Sequence, residues 1–417
     1  MDNLTHSLVG LLCAEAAVRA RERVKDGRPP LDNWTRSGLY AFAIIGNNLP
    51  DLDLVYAKAS DETFGYLLQH RGYTHTLPAA FGFALVMFAV FALLARWRKK
   101  ALSASDSRLL GLIAVLSPLL HIAMDFTNNY GVHPFWPLDE RWFYGDTLFI
   151  LEPSLWLVLI APLSFSYRSP WLRGSLWLVL GVALAALWYR PFVPRGHALA
   201  LTLLTFGLLA VARKRTPAAR FLLAAAGFTV LGLAFVVGSR SAKAMVRERA
   251  QLLFPSARTL DVVVTPMPAN PFCWSVILVQ DDGAQYSVRL GRAATWPAWS
   301  SVAACVFDQG ATPTAPLHSL PNLADSRLSL TDEYRLPVAD LRALAGARCE
   351  AAAFFRFARV PYLSAAQPDG SRVLGDLRYD RKRGLDFSDI RLMGVQGRCP
   401  DHVPPWRSPR ADVLSAE

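Results

Sequence analysis

Charge is scarce in this chain. Only 18% of its 417 residues are Asp, Glu, Lys or Arg, against 53% hydrophobic ones, and the mean hydropathy is +0.24. That balance excludes an ordinary soluble enzyme of this length. Cysteine is limited to Cys13, Cys273, Cys305, Cys349 and Cys399, which excludes a thiolate-built structural zinc site from the N-terminal half. The N-terminus has no basic leader, and its first apolar stretch runs into Glu15 and Arg19 instead of a small-residue cleavage site. A cleavable signal peptide is therefore not expected.

What is present is a series of uncharged apolar runs. Residues 77 to 95 carry no charge over about the length needed to cross the hydrocarbon core of a bilayer. Similar runs follow at 109 to 124, 148 to 166, 175 to 189, 197 to 212 and 221 to 238. Two weaker segments, 4 to 20 and 37 to 49, are short and partly polar, and read as shielded spans or interfacial helices. The fold expected is mainly α, a polytopic membrane part of six to eight helices over residues 1 to 240. A small mixed α/β or β-rich soluble domain follows over 241 to 417.

The net charge of +11 has a local explanation that makes nucleic acid an unexpected partner. If all eight segments cross, one set of connections collects the basic residues of 19 to 36 (Lys25 and Arg28 among them), 96 to 108, Arg168 with Arg173, and 213 to 220. The opposite set holds only Lys58, Arg71, Arg141, Arg190 and Arg195. The positive-inside rule makes the first set cytoplasmic and puts both termini outside. The four late cysteines then lie in an exported region, where disulfides are expected; four cysteines allow three pairings. In that region LDVVVT, WSVILVQ and AQYSVRL read as strands, the last two joined by a hairpin at DDG. It holds no internal repeat, Gly-rich phosphate loop or zinc-knuckle spacing.

Histidine is as rare as cysteine is late, yet it is grouped. Four short polar blocks precede residue 155, MDNLTH, NNLPDLD, HRGYTH and HIAMDFTNNYGVHPF, and all but NNLPDLD hold histidine: His6, His70, His75, His121 and His133, five of the eight in the chain. Under the proposed topology every block lies at the outer end of its helix. His121 and Asp125 are four apart and share a helix face. They follow a strongly apolar run, where an ionisable pair is costly without a functional partner. Gly72 suggests a bend that turns His70 and His75 inward, and Arg71 is placed to pair with a carboxylate or with an anionic substrate. Asp51 and Asp53 offer two carboxylates within one turn and are the candidates for a bridging ligand or a general base.

His6, Asp51, Asp53, His70, His75, His121 and Asp125 together match what zinc or manganese binds, as one ion or two. An open site of this kind keeps a water, lowers its pKa and polarises a carbonyl or phosphoryl oxygen.

The blocks resemble, in order, the YdjM-like, LexA-regulated family of inner-membrane metal-dependent hydrolases. The resemblance rests on Met1, Asp2, Thr5 and His6; Pro50 to Asp53; His70 to His75; His121, Asp125 and Asn129 to Gly131; and Gly145 to Pro153. It covers about residues 1 to 155. That family is in turn distantly similar to the all-helical zinc-dependent phospholipase C and P1 nuclease group. This similarity implies that His121 and Asp125 are ligands with His70 as partner, and that Asp51 or Asp53 lies near the catalytic water. It also implies a metal-binding role for an early histidine, which His6 fits, and makes Glu152 a late ligand or a supporting residue.

The function expected is hydrolysis of an ester or phosphoester of a lipid or lipid-linked molecule at the outer face of the inner membrane. Asp51, Asp53 and Arg71 are the catalytic candidates. The alternative is a transporter that uses the same His/Asp cluster as a proton or ion path.

Overall fold

Side-chain caps and prolines mark where the apolar runs become helices. In the computed structural model, which describes residues 1–23, 30–61, 63–167, 169–189, 193–305, 311–394, 397 and 399–415, α1 (Asn3–Arg23) leads to α2 (Asn33–Gly46). The Asp32 side chain caps α2 by accepting from the amides of Trp34 and Thr35. A broken stretch follows: a 3-10 turn at Pro50–Leu52, α3 (Asp53–Ser60), α4 (Gly65–Gln69) and a second 3-10 turn at Tyr73–His75. Then come α5 (Leu77–Trp97), α6 (Ala104–Phe126), α7 (Pro153–Leu163), α8 (Pro170–Tyr189), α9 (Arg195–Arg213) and α10 (Pro217–Leu253). Thr76, Ser103 and Thr216 cap α5, α6 and α10.

Among the described residues five helices, α5, α6, α8, α9 and α10, are long and apolar enough to cross a membrane. Leu85, Leu93, Leu178, Leu203 and Val230 project outward from them, an apolar exterior suited to lipid as solvent. The run at 148 to 166 departs from expectation. Only Pro153–Leu163 is helical, about 16 Å at 1.5 Å per residue. Its first part is irregular because Gly145, Thr147 and Leu148 donate their amides to the carbonyls of Phe126 and Thr127. The two weak segments are shielded: Leu8, Val9, Leu11, Ala14 and Val18 of α1 and Leu39, Phe42 and Ala43 of α2 are buried inside the bundle. Gly10 permits this contact, since a Cβ there would stand 2.4 Å from the Ala43 carbonyl oxygen.

Arg21, at the end of α1, reaches Asp106 at the start of α6, and Arg220 donates to the carbonyls of Phe165 and Arg213. These basic connections sit a helix length away from His6 and Asp125 at the other ends of α1 and α6. Lys25, Arg28, Arg168 and Arg190 lie outside the described residues.

The expected boundary at 240 falls inside α10, which runs unbroken for 37 residues into β1 (Arg258–Met267). With β2 (Asn270–Asp281), β3 (Gln285–Ala294), β4 (His318–Ala324) and β5 (Leu328–Pro337) it forms an antiparallel sheet in the order β1-β2-β3-β5-β4. The DDG turn joins β2 to β3 as expected, with Gly283 at φ +91°. After α11 (Val338–Ala347) and α12 (Cys349–Phe354), strands β6 (Pro361–Leu363), β7 (Arg372–Asp376) and β8 (Asp389–Leu392) form a second antiparallel sheet. Disulfides join Cys273 to Cys305 and Cys349 to Cys399.

This C-terminal part shares its cores with the helices. Phe64, Leu67, Leu68, Tyr130 and Trp142 belong to one buried cluster with Tyr286, Phe357 and Trp406, and Met1, Val9 and Leu155 to another with Val262 and Trp274. Between them lies an ionic joint. The Arg359 guanidinium holds Asp146 at 2.7 and 2.9 Å and Asp261 at 2.8 and 3.1 Å, while Lys243 of α10 adds a bond to Asp146 at 2.7 Å.

Candidate metal centre

The last turn of α6 presents His121 and Asp125 on one face, both fully buried. The turn at Pro50–Leu52 brings Asp51 to them, and the turn at Tyr73–His75 brings His75. The Nε2 atoms of His75 and His121 lie 3.1 Å apart. His75 Nε2 is 3.1 Å from Asp125 Oδ2 and 3.7 Å from Asp51 Oδ1; His121 Nε2 is 3.4 and 3.5 Å from the same two oxygens. A tetrahedral ion with bonds of about 2.0–2.1 Å spaces its ligands about 3.3 Å apart. The donor set therefore fits a cation at its centre. His121 Nδ1 lies 2.7 Å from the Asn47 carbonyl oxygen, and a proton donated there leaves Nε2 free to ligate.

A second group, Asp51, Asp53 and His70, shares Asp51 with the first, the ligand atoms of each lying within 4.8 Å of one another. Asp53 is more heavily engaged than Asp51. It accepts from the Arg71 amide at 2.7 Å and from Thr74 Oγ1 at 2.9 Å, and it lies 3.0 Å from His70 Nδ1 and 3.3 Å from His75 Nδ1. It thus orients both imidazoles.

Three buried carboxylates in one place require positive charge, and their effect on neighbouring groups is visible outside the helices. Burial opposes charging of His75, yet its hydrogen bonds with Asp125, Asp51 and Asp53 outweigh this and raise its pKa to about 10. Burial also favours the neutral form of Asp51, but hydrogen bonds with His121 and His75 hold its carboxyl well below the usual range.

Residues 1–198 match the YdjM inner membrane protein family. The matched residues include every His and Asp of both groups. A Bacillus subtilis (strain 168) protein, the uncharacterized protein YfhP, is 23% identical over 167 residues, which is 40% of this chain and 46% of that protein. The chain thus spans about half the length of this curated relative. No solved structure matches the chain.

Within residues 1–198, six of the seven metal candidates named from the sequence fall in the two groups. His6 stands beside them: its Nε2 is 3.2 Å from Asp125 Oδ1 and its ring stacks on His121 at 3.8 Å. Arg71 takes the carboxylate-pairing course. Its guanidinium lies 2.9 and 3.0 Å from the two oxygens of Asp125 and donates to Asn128 Oδ1 at 2.8 Å. The chain bends at Gly72 as expected, with φ −85° and ψ −117°, and Arg71 beside it takes φ +58°. The Gly72 requirement is closeness, because a Cβ there would stand 3.0 Å from both the Gln69 carbonyl oxygen and the Trp406 ring. His133 joins neither group; it stacks on Trp406 at 3.8 Å with Nδ1 3.2 Å from the Arg71 carbonyl oxygen. Sequence reading missed Asn128 and Asn47 as supports; the Met1 amine, a group that the phospholipase C and P1 nuclease resemblance also points to, contacts Asp125.

Glu152 lies outside both groups. Its carboxyl accepts from the backbone amides of Ser154 at 3.1 Å and Ala269 at 3.0 Å, and from Ser154 Oγ at 2.5 Å, pinning α7 to the β1–β2 turn. Burial pushes its pKa up to about 7 from 4.5. The folded state therefore binds this proton more tightly than the unfolded state. Stability should fall as pH rises from about 4.5 to about 7, then level off, by about 3 kcal/mol in all. Glu152→Gln keeps the acceptor oxygen and removes the charge. Its thermal midpoint in detergent should lose this pH slope; an unchanged slope would refute the assignment.

Proposed function

We propose that the protein is a membrane-embedded, metal-dependent hydrolase that cleaves an ester or phosphoester bond of a lipid or lipid-linked substrate at the outer face of the inner membrane. The observation that carries this reading is the sharing of Asp51 by two buried His/Asp groups. Imidazole with carboxylate suits zinc, with manganese as the other choice, and the two groups allow one ion or two. A bound divalent cation supplies a water of lowered pKa and polarises a carbonyl or phosphoryl oxygen.

The remaining roles belong to the chain. His75, His121 and Asp125 would hold one cation with Asp51, and His70 and Asp53 would hold a second with the same Asp51. Asp53 fixes the tilt of His70 and His75, and Arg71 neutralises and positions Asp125. His6 covers the His121 ring. The outward orientation of the site and the C-terminal part is supported by the basic connections at the opposite end of the bundle and by the two disulfides, which belong to oxidising compartments.

The test is turnover. Zinc-loaded protein in detergent is assayed against bis(p-nitrophenyl) phosphate and a p-nitrophenyl ester, alongside His121→Ala. Loss of more than about 100-fold in the variant, with its helical content intact, is expected. Equal turnover by wild type and variant would overturn the reading.

A further inference from the structure

One wall of the metal centre is also the wall of a cavity. Asn128, whose Oδ1 holds Arg71, and Tyr66, whose ring stacks on His70 at 4.9 Å, both line a cavity of about 330 Å³ between the helix ends and the segment joining β7 to β8. That volume lies in the range of small-ligand sites.

Two of its lining residues hold buried polar atoms without a hydrogen-bond partner among the described residues, Asn128 Nδ2 and Tyr379 Oη. Buried donors without partners are uncommon because each forfeits its hydration. Asn128 Nδ2 is a donor alone and the Tyr379 hydroxyl can donate beside it, a pair that suits an acceptor-rich ligand. The charge on the wall has the same sense. Arg378 is consumed by Asp376, at 2.8 to 3.1 Å, and by the Asn129 carbonyl. Arg381 and Lys382 add positive charge, against Asp386, whose carboxylate accepts from the Phe387 amide. The lip is apolar: Ile150 and Phe387, both cavity-lining, are exposed by 45% and 43%.

We infer that this cavity receives the phosphate of a glycerophospholipid headgroup, with Asn128, Tyr379 and Lys382 as donors and Ile150 and Phe387 on the acyl side. The inference rests on the hydrolase reading for its link to the neighbouring centre, since it names the class of substrate presented there. Its recognition chemistry stands without the metal.

The experiment measures binding, not turnover. Full-length protein in detergent is titrated calorimetrically with dihexanoyl phosphatidylglycerol, glycerol 3-phosphate and, as control, a dihexanoyl diacylglycerol without phosphate. Wild type, Tyr379→Phe, Lys382→Gln and Asp51→Asn are compared. The phospholipid should bind, and Tyr379→Phe and Lys382→Gln should each weaken it by about tenfold. Tyr379→Phe should keep or raise the thermal midpoint, since it deletes a hydroxyl left unpaired in the free protein. Asp51→Asn should still bind, which separates this result from any failure of the metal-centred reading. Glycerol 3-phosphate binding as tightly as the phospholipid would overturn the lipid assignment. Equal affinity for the phosphate-free lipid, or full affinity in both cavity variants, would overturn the inference.

Discussion

Asp51→Asn protein purified in mild detergent should retain at most about a tenth of the wild-type metal when both are analysed by plasma mass spectrometry. Asp51 is the residue common to the two groups, so its loss removes a negative ligand from each. Asparagine keeps the shape and one oxygen, leaving charge as the variable. A tenfold loss of affinity corresponds to only about 1.4 kcal/mol, small beside the several kcal/mol per ion at stake when charge is buried. His121→Ala and Asp125→Ala should be as severe because both belong to the first group. Asp53→Asn should be milder, since Asp53 acts on that group through His75 Nδ1, and losses of about 10- to 100-fold are typical of such supporting carboxylates. Full metal content in a well-folded Asp51→Asn variant would leave the cluster as a structural network.

Arg359→Ala should lower stability by about 3–5 kcal/mol, the usual result of removing one partner from a buried ion pair. The reason is what remains. Asp146 and Asp261 lose the cation that bonds both, leaving Lys243 on Asp146 at 2.7 Å and the more distant Arg410 on Asp261 at 3.5 Å. Because Asp146 stands in the loop before α7 and Arg359 precedes β6, the damage falls on the joint between the helices and the sheets. The thermal midpoint should drop by on the order of 10 °C. Arg359→Lys should fall between, since an ammonium keeps the charge but cannot bridge two carboxylates with a planar fork. An unchanged midpoint in Arg359→Ala would show that the joint contributes nothing.

The parts legible in the sequence were those written in local chemistry. Uncharged runs located α5, α6, α8 and α9 to within about five residues and the first half of α10. Alternating β-branched residues with DDG located the β2–β3 hairpin. Three of the four polar blocks located the residues of both candidate groups, because ionisable side chains at the end of an apolar helix have few inexpensive alternatives. What escaped was non-local. The span expected at 148 to 166 shortened because loop amides found partners on Phe126 and Thr127, a contact across the turn that hydropathy cannot register. Arg71 carried two possible partners in the sequence, and only the fold brought Asp125 to its guanidinium. At 240 the composition changes, and the basic stretch SRSAKAMVRERAQLLF, helical as its sequence suggests, continues the last span as one helix.

That helix has a consequence for how the chain tolerates insertion and deletion. A flexible tether would absorb an extra residue, whereas each residue added to a continuous α-helix turns everything beyond it by about 100° and advances it by about 1.5 Å. Between residues 240 and 253, α10 acts as a rotary coupling with the sheet bolted to its end. One extra residue would swing the sheet off the helix ends and open the covered site. Length changes there are in phase only near whole turns, at multiples of about 3.6 residues, so the distance from bundle to sheet is quantised.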